Sequence, residues 1–145
     1  MIEAVVKEIR VPAAPEVAFE RFTKEVDSWW PRSTHSVSGE ECREVSWAGP
    51  VGASLYEVDE EGNKHVWGTF TAWDPPNRMA MTWHPGRDPE MAQHIEITFE
   101  AQEGGTLVRL THGNFEALGE KAEEIRGQYD GGWIHVLEMY AEALG

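Results

Sequence analysis

Toward the end of the chain, apolar residues recur at a helical interval. Phe115, Leu118, Ala122, Ile125, Tyr129, Trp133, Val136, Tyr140 and Leu144 follow one another in steps of three or four, which puts them all on one face of an α-helix. Between them lie Glu116, Glu120, Lys121, Glu123, Glu124, Arg126, Gln128, Asp130 and Glu142, a solvated back. A helix over 115–144 would reach roughly 45 Å, long for a small domain, so its start is expected nearer Glu120. Gly119, Gly127, Gly131 and Gly132 interrupt the pattern, each costing about 1 kcal/mol relative to Ala in a helix interior. They allow either a break at Asp130-Gly131-Gly132 or a single helix with small residues where it crosses a partner or a space.

The earlier chain reads differently. The stretch 2–11 is β-branched and stopped by Pro12, a first strand. Pro15 opens a short helical connector, where a proline suits the first turn. Phe19, Phe22, Val26 and Trp29 face a core from it, and Pro31 closes it. A polar loop over 32–39 follows. Strands are then expected at 41–46, 53–58, 65–73, 78–84, 93–102 and 106–112, separated by turn signals such as Ala48-Gly49-Pro50 and Asp74-Pro75-Pro76-Asn77. In the clearest hairpin, Ile95, Ile97 and Phe99 alternate with His94, Glu96, Thr98 and Glu100, and Val108 and Leu110 alternate with Arg109 and Thr111. One face is buried and the other wet, and His112 falls on the inward side. Consecutive strands with hairpin-length links make an antiparallel sheet. Such a sheet twists and curls, and the long helix buries its stripe in the concavity. The expected architecture is α+β, one domain over 1–145, without repeats or low-complexity segments.

Composition narrows the function. The formal net charge is -14, with 26 acidic residues against 12 basic. That speaks against nucleic acid, whose binding requires neutralised phosphates, and against an anionic membrane surface. Cys42 is the single cysteine, so no internal disulfide forms and a reducing compartment fits. The charged N-terminus lacks an apolar signal segment, and no stretch approaches a membrane span. The expected location is the cytoplasm.

The local sequence resembles a known family. The stretch from Gly68 through Asp74-Pro75-Pro76-Asn77 to Thr82-Trp83 looks like its strand, double-proline turn and strand. Gly104-Gly105-Thr106 with Leu110-Thr111-His112 looks like its hairpin, and Gly132-Trp133 with Leu137 and Leu144 looks like the Gly-Trp of its long helix. Pro15 to Phe19 is similar to its first helix, and Trp29-Trp30-Pro31 recurs in some members. The family is that of the homologues of the activator of heat-shock protein 90 ATPase, C-terminal-domain type, within the START-like (SRPBCC) superfamily. The resemblance implies a helix-grip (Bet v 1-like) fold, a curved sheet around an uninterrupted C-terminal helix. It implies a cavity for apolar ligands, used by some relatives for cyclase-type catalysis and by others for binding alone. Chaperone association enters by the family label only.

Candidate chemistry centres on the seven tryptophans. Trp brings large apolar area with one N–H to satisfy. Several will simply fill the core. The functional expectation is an aromatic-lined ligand site closed by Trp29, Trp30, Trp83 and Trp133, with Phe70, Met79 and Met81 as adaptable walls. Gly131 and Gly132 leave space beside Trp133. Polar candidates are His112, able to change charge near neutral pH, and Arg32 and His35 in the loop at the mouth. For a metal, His94, Glu96 and His84 are too few to converge. No nucleophile elbow, phosphate loop or activated cysteine is present, and no cofactor is expected. Three readings follow: a binding domain for a small apolar or amphipathic molecule, a cyclase- or hydrolase-like enzyme using His112 or His35 as acid–base, and a protein-interaction module acting through the acidic surface. Self-association as a homodimer is left open by the sequence.

Overall fold

The computed structural model describes residues 2–145. Strand β1 (Val5–Val11) leads into helix α1 (Pro15–Phe22), which has Pro15 in its first turn. Strands β2 (Cys42–Ser46), β3 (Ser54–Asp59), β4 (Lys64–Asp74), β5 (Arg78–Trp83), β6 (Gln93–Gln102) and β7 (Gly105–Gly113) follow, and helix α2 (Ala122–Ala143) ends the chain. The sheet order is β1-β7-β6-β5-β4-β3-β2, antiparallel at every pairing. From β2 to β7 each strand pairs with its successor. The first strand then returns to the far edge beside β7, with Val5 opposite His112 and Val11 opposite Thr106.

Alternation along β6 and β7 puts Ile95, Ile97, Phe99, Val108, Leu110 and His112 inside, with Ile97 opposite Leu110 and Ile95 opposite His112. The pattern fails on β4. Trp67 and Phe70 are both buried although three positions apart, an odd step that strict alternation forbids. Register shifts against both neighbouring strands absorb the extra residue, and a bulge of this kind changes the parity of everything beyond it. Gly68 lies in this region because a Cβ there would stand 1.9 Å from the Thr82 carbonyl oxygen. Only a residue without a side chain lets the two strands approach so closely.

Helix α2 runs without interruption through Asp130-Gly131-Gly132. Two short 3-10 turns precede it over Phe115–Lys121, broken at Gly119, whose φ of 66° is the left-handed conformation glycine adopts without strain. The helix lies along the concave face and is fastened at both ends. Near its start, Arg126 Nε donates to the Glu3 carbonyl at 2.6 Å and Lys7 pairs with Asp130 at 2.8 Å. Near its end, the Tyr140 hydroxyl donates to the Ala18 carbonyl at 2.8 Å, and Arg21 Nη1 donates to the Ala143 carbonyl. A cation among the last carbonyls also complements the helix dipole. Among the described residues, no helix is long and apolar enough to cross a membrane.

Candidate functional site

Aromatic rings crowd the trough beneath α2, and its two halves differ. Under the C-terminal half of the helix, α1 inserts Phe19 and Phe22. Phe22 packs edge-on to Trp29 at 5.2 Å, tilted on Trp47 at 5.4 Å and against Tyr140 at 4.7 Å. Trp29 donates its indole N–H to the Arg21 carbonyl at 2.7 Å. Phe22, Trp29, Trp47 and Tyr140 are all buried there.

Under the N-terminal half lies a cavity of about 520 Å³. Trp30, Trp67, Trp83 and Trp133 wall it, Ile125, Tyr129, Gly132 and Val136 from α2 roof it, and two loops close its mouth: Thr34 to Val37, and Pro85 to Arg87. The indole N–H groups are occupied by the frame. Trp30 donates to the His35 carbonyl at 2.8 Å, Trp67 to Glu57 Oε1 at 2.7 Å, and Trp83 to the Tyr129 hydroxyl at 3.0 Å. The rings therefore present apolar faces to the space, fixed by hydrogen bonds at their rims.

Glu57 anchors the first mouth loop. It is fully buried, yet its carboxylate accepts from the Val37 N–H at 2.6 Å, the Ser38 N–H at 2.8 Å, the Ser38 hydroxyl and the Trp67 indole. Burial pushes its pKa up, but these donors outweigh burial and hold it below the usual carboxylate range. One ionised side chain thus ties the loop, a wall tryptophan and β3 together.

The residues singled out from sequence divide into two groups. Trp30, His35, Trp83 and Trp133 line the cavity. Trp29, Phe70, Met81 and Met79 are buried in the core away from it. Arg32 is held elsewhere by Asp27, with Nη1 2.9 Å from Oδ1, and Asp27 Oδ1 also accepts the Val45 N–H. Gly132 opens onto the cavity, where a Cβ would come 3.9 Å from His35 Nε2, whereas Gly131 is exposed.

His112 sits just behind the wall. Trp133 donates its indole N–H to His112 Nδ1 at 3.0 Å, so the ring proton lies on Nε2, which faces Gln93 Oε1 at 3.2 Å. Gln93 in turn donates to the Met91 carbonyl at 2.8 Å. Phe115 stacks on the imidazole at 4.5 Å. Burial drives its pKa down to about 3. A neutral, doubly bonded imidazole closed off from the cavity joins helix to sheet, and it has no free nitrogen for acid–base chemistry. His35 differs. It is half-buried at the mouth, shares a 2.7 Å hydrogen bond between Nδ1 and the Thr34 hydroxyl, and stacks on His135 at 5.2 Å. Burial, then the neighbouring His135, lowers its pKa.

The lining residues not foreseen include Trp67, Tyr129, Gln128 and Arg87. Tyr129 had a signal, since it stands one helical turn before Trp133 on the same stripe. Trp67 was hidden by the bulge, and Arg87 by a loop whose sequence fixes no direction. Among the described residues, no cluster of three or more His, Cys, Asp or Glu is placed to hold a metal ion.

The comparisons with known proteins agree with this fold. The family model described as Activator of Hsp90 ATPase homolog 1-like protein matches residues 12–145. No curated protein matches in sequence. Among solved structures, the Aha1 dimer from Colwellia psychrerythraea superposes with a TM-score of 0.72 at 20% identity, covering 99% of this chain and 96% of that one. The self-sacrificing resistance protein CalC from Micromonospora echinospora gives 0.71 at 25% identity, covering 98% and 94%. The anthrahydroquino-γ-pyrone synthase Txn09, solved with the ligand SUM, gives 0.62 at 34% identity, covering 89% and 88%.

Proposed function

Because the chain belongs to the family of Activator of Hsp90 ATPase homolog 1-like proteins, we propose that it binds a small apolar or amphipathic molecule, of aromatic character, in the hollow beneath the first half of α2. The observation that carries this reading is the cavity itself: about 520 Å³ walled by four tryptophan rings whose N–H groups are already bonded to the frame. A volume of this order suits a drug-sized ligand, and a mostly apolar lining with a few placed polar groups is the usual composition of such sites. The bound molecule stacks between Trp30, Trp83 and Trp133. Thermal-shift screening against aromatic polyketides and fatty acids tests this. Stabilisation by the aromatic set, accompanied by quenching of tryptophan fluorescence, is expected. Absence of any shift across both sets would count against the reading.

A second reading, turnover of the bound molecule, draws on the 34% identical neighbour named as a synthase and on the position of His35 at the mouth. His35, with its lowered pKa, is neutral at physiological pH and acts as the base. Mass spectrometry of an aromatic polyketide incubated with the protein, and with His35→Gln, separates turnover from binding: a product formed by the wild type and lost in the variant requires the enzyme reading.

A further inference from the structure

The cavity's charge is opposite to that of the chain around it. The protein carries 26 acidic residues and a net charge of -14, yet among the described residues no Asp or Glu lines the hollow, and its one fully charged lining residue is Arg87. Among the described residues, no carboxylate forms an ion pair with this guanidinium, whereas Arg32, Arg43, Arg78 and Arg109 each have one. Arg87 is half-buried and lies close enough to the Tyr129 phenol to favour its ionised form.

Tyr129 supplies the second half. Its oxygen accepts the Trp83 indole N–H at 3.0 Å. Burial raises its pKa, so the phenol keeps its proton, with the Trp83 bond and Arg87 only partly opposing. No acceptor for that proton occurs among the described residues. A hollow walled by tryptophans thus has a guanidinium without a counter-ion beside a hydroxyl with a proton to donate. Both groups are donors, and both favour an oxyanion.

We propose that the cavity selects an aromatic ligand carrying an acidic head group, with Arg87 holding the anion, Tyr129 donating to it, and the tryptophan walls enclosing the rings. This rests on the binding reading above and narrows it. Carrying the negative charge on the ligand also fits a lining without carboxylates in a strongly acidic chain: each would repel the head group at close range.

Two fluorescent probes of the same shape test it: anilinonaphthalene sulfonate and its uncharged parent, phenylnaphthylamine. The wild type is expected to bind the sulfonate roughly tenfold tighter or more, the scale of one charge-assisted hydrogen bond. Arg87→Gln should collapse that preference and Arg87→Lys restore part of it, with circular dichroism confirming that both variants fold. Equal affinity for the two probes, or a preference that survives Arg87→Gln, overturns the acidic-ligand inference and leaves the cavity reading standing. Failure of both probes to bind, or binding untouched by Gly132→Phe, which crowds the hollow from α2, overturns the cavity reading and this inference with it.

Discussion

The two halves of the trough under α2 are made from the same kinds of side chain and end differently. Toward the C-terminus of the helix, Phe22, Trp29, Trp47 and Tyr140 pack into a solid aromatic core. Toward its N-terminus, Trp30, Trp67, Trp83 and Trp133 stand around a space. The difference is what covers them. An amphipathic helix, α1, enters the C-terminal half and brings Ala18, Phe19 and Phe22 to zero or near-zero exposure. The N-terminal half is covered by two loops, the first of them tied to Glu57, and Gly132 adds no side chain from above. Aromatic residues fill a core only when a neighbouring element brings enough volume to close around them. Without it, the same residues make walls.

That contrast can be broken most forcefully in the solid half. Phe22→Ala should cost about 3–5 kcal/mol, the usual range for a buried Phe whose neighbours cannot collapse, read as a lower midpoint in urea denaturation. Its effect on ligand affinity should follow stability alone. Behind the wall of the hollow half, His112 predicts a pH dependence. Its folded pKa, about 3, is depressed from an unfolded value of 6.5, so the unfolded chain takes up a proton that the native chain refuses. The stability this represents is fully present above pH 6.5 and is lost as pH falls, by about 1.4 kcal/mol per unit. Between pH 6.5 and 5 the loss is therefore about 2 kcal/mol, with His35 contributing in the same direction. Tyr129, the other titratable ring against His112 at 4.6 Å, stays protonated throughout. His112→Gln should be less stable at neutral pH but lose less of its stability on acidification over this window, which urea titrations at the two pH values will show.

Smaller effects sharpen the hollow half. Arg32→Ala removes a half-exposed pair with Asp27 and should cost no more than about 1 kcal/mol. Probe affinity should stay near wild type, since the guanidinium does not line the cavity. The smallest stability change belongs to Gly132→Phe. Replacing a mid-helix glycine with a better helix former gains roughly 0.5 kcal/mol, offset by crowding against His35, so the melting temperature should barely move. Ligand affinity should nonetheless fall at least tenfold. A site whose filling leaves stability intact while abolishing binding is a hollow kept for a ligand.

Much of this architecture was legible along the chain, and the reason is locality. The inward set of β6 and β7, including His112, follows from alternation, and the face of α2 from its three- and four-residue steps. The continuity of α2 through Gly131-Gly132 was not decided by those steps. It was suggested by the family resemblance and is present in the fold. The candidate site was half legible. Trp30, Trp83 and Trp133 reach the cavity, while Trp29 lies one residue from Trp30 and belongs to the core. Adjacent tryptophans at the end of a short helical connector point to different ends of the trough, and no period assigns them. Phe70 and Trp67 changed roles because a bulge reset the parity of β4.

By itself the sequence determined the order of elements, the buried face of each regular one and the acidic surface, because each depends on residues a few positions apart. Only the tertiary structure decided where the volume under α2 runs short, and that Arg87 meets Tyr129 in its lining. Those outcomes depend on how much side chain distant elements deliver to one place, and that sum is set by packing in three dimensions.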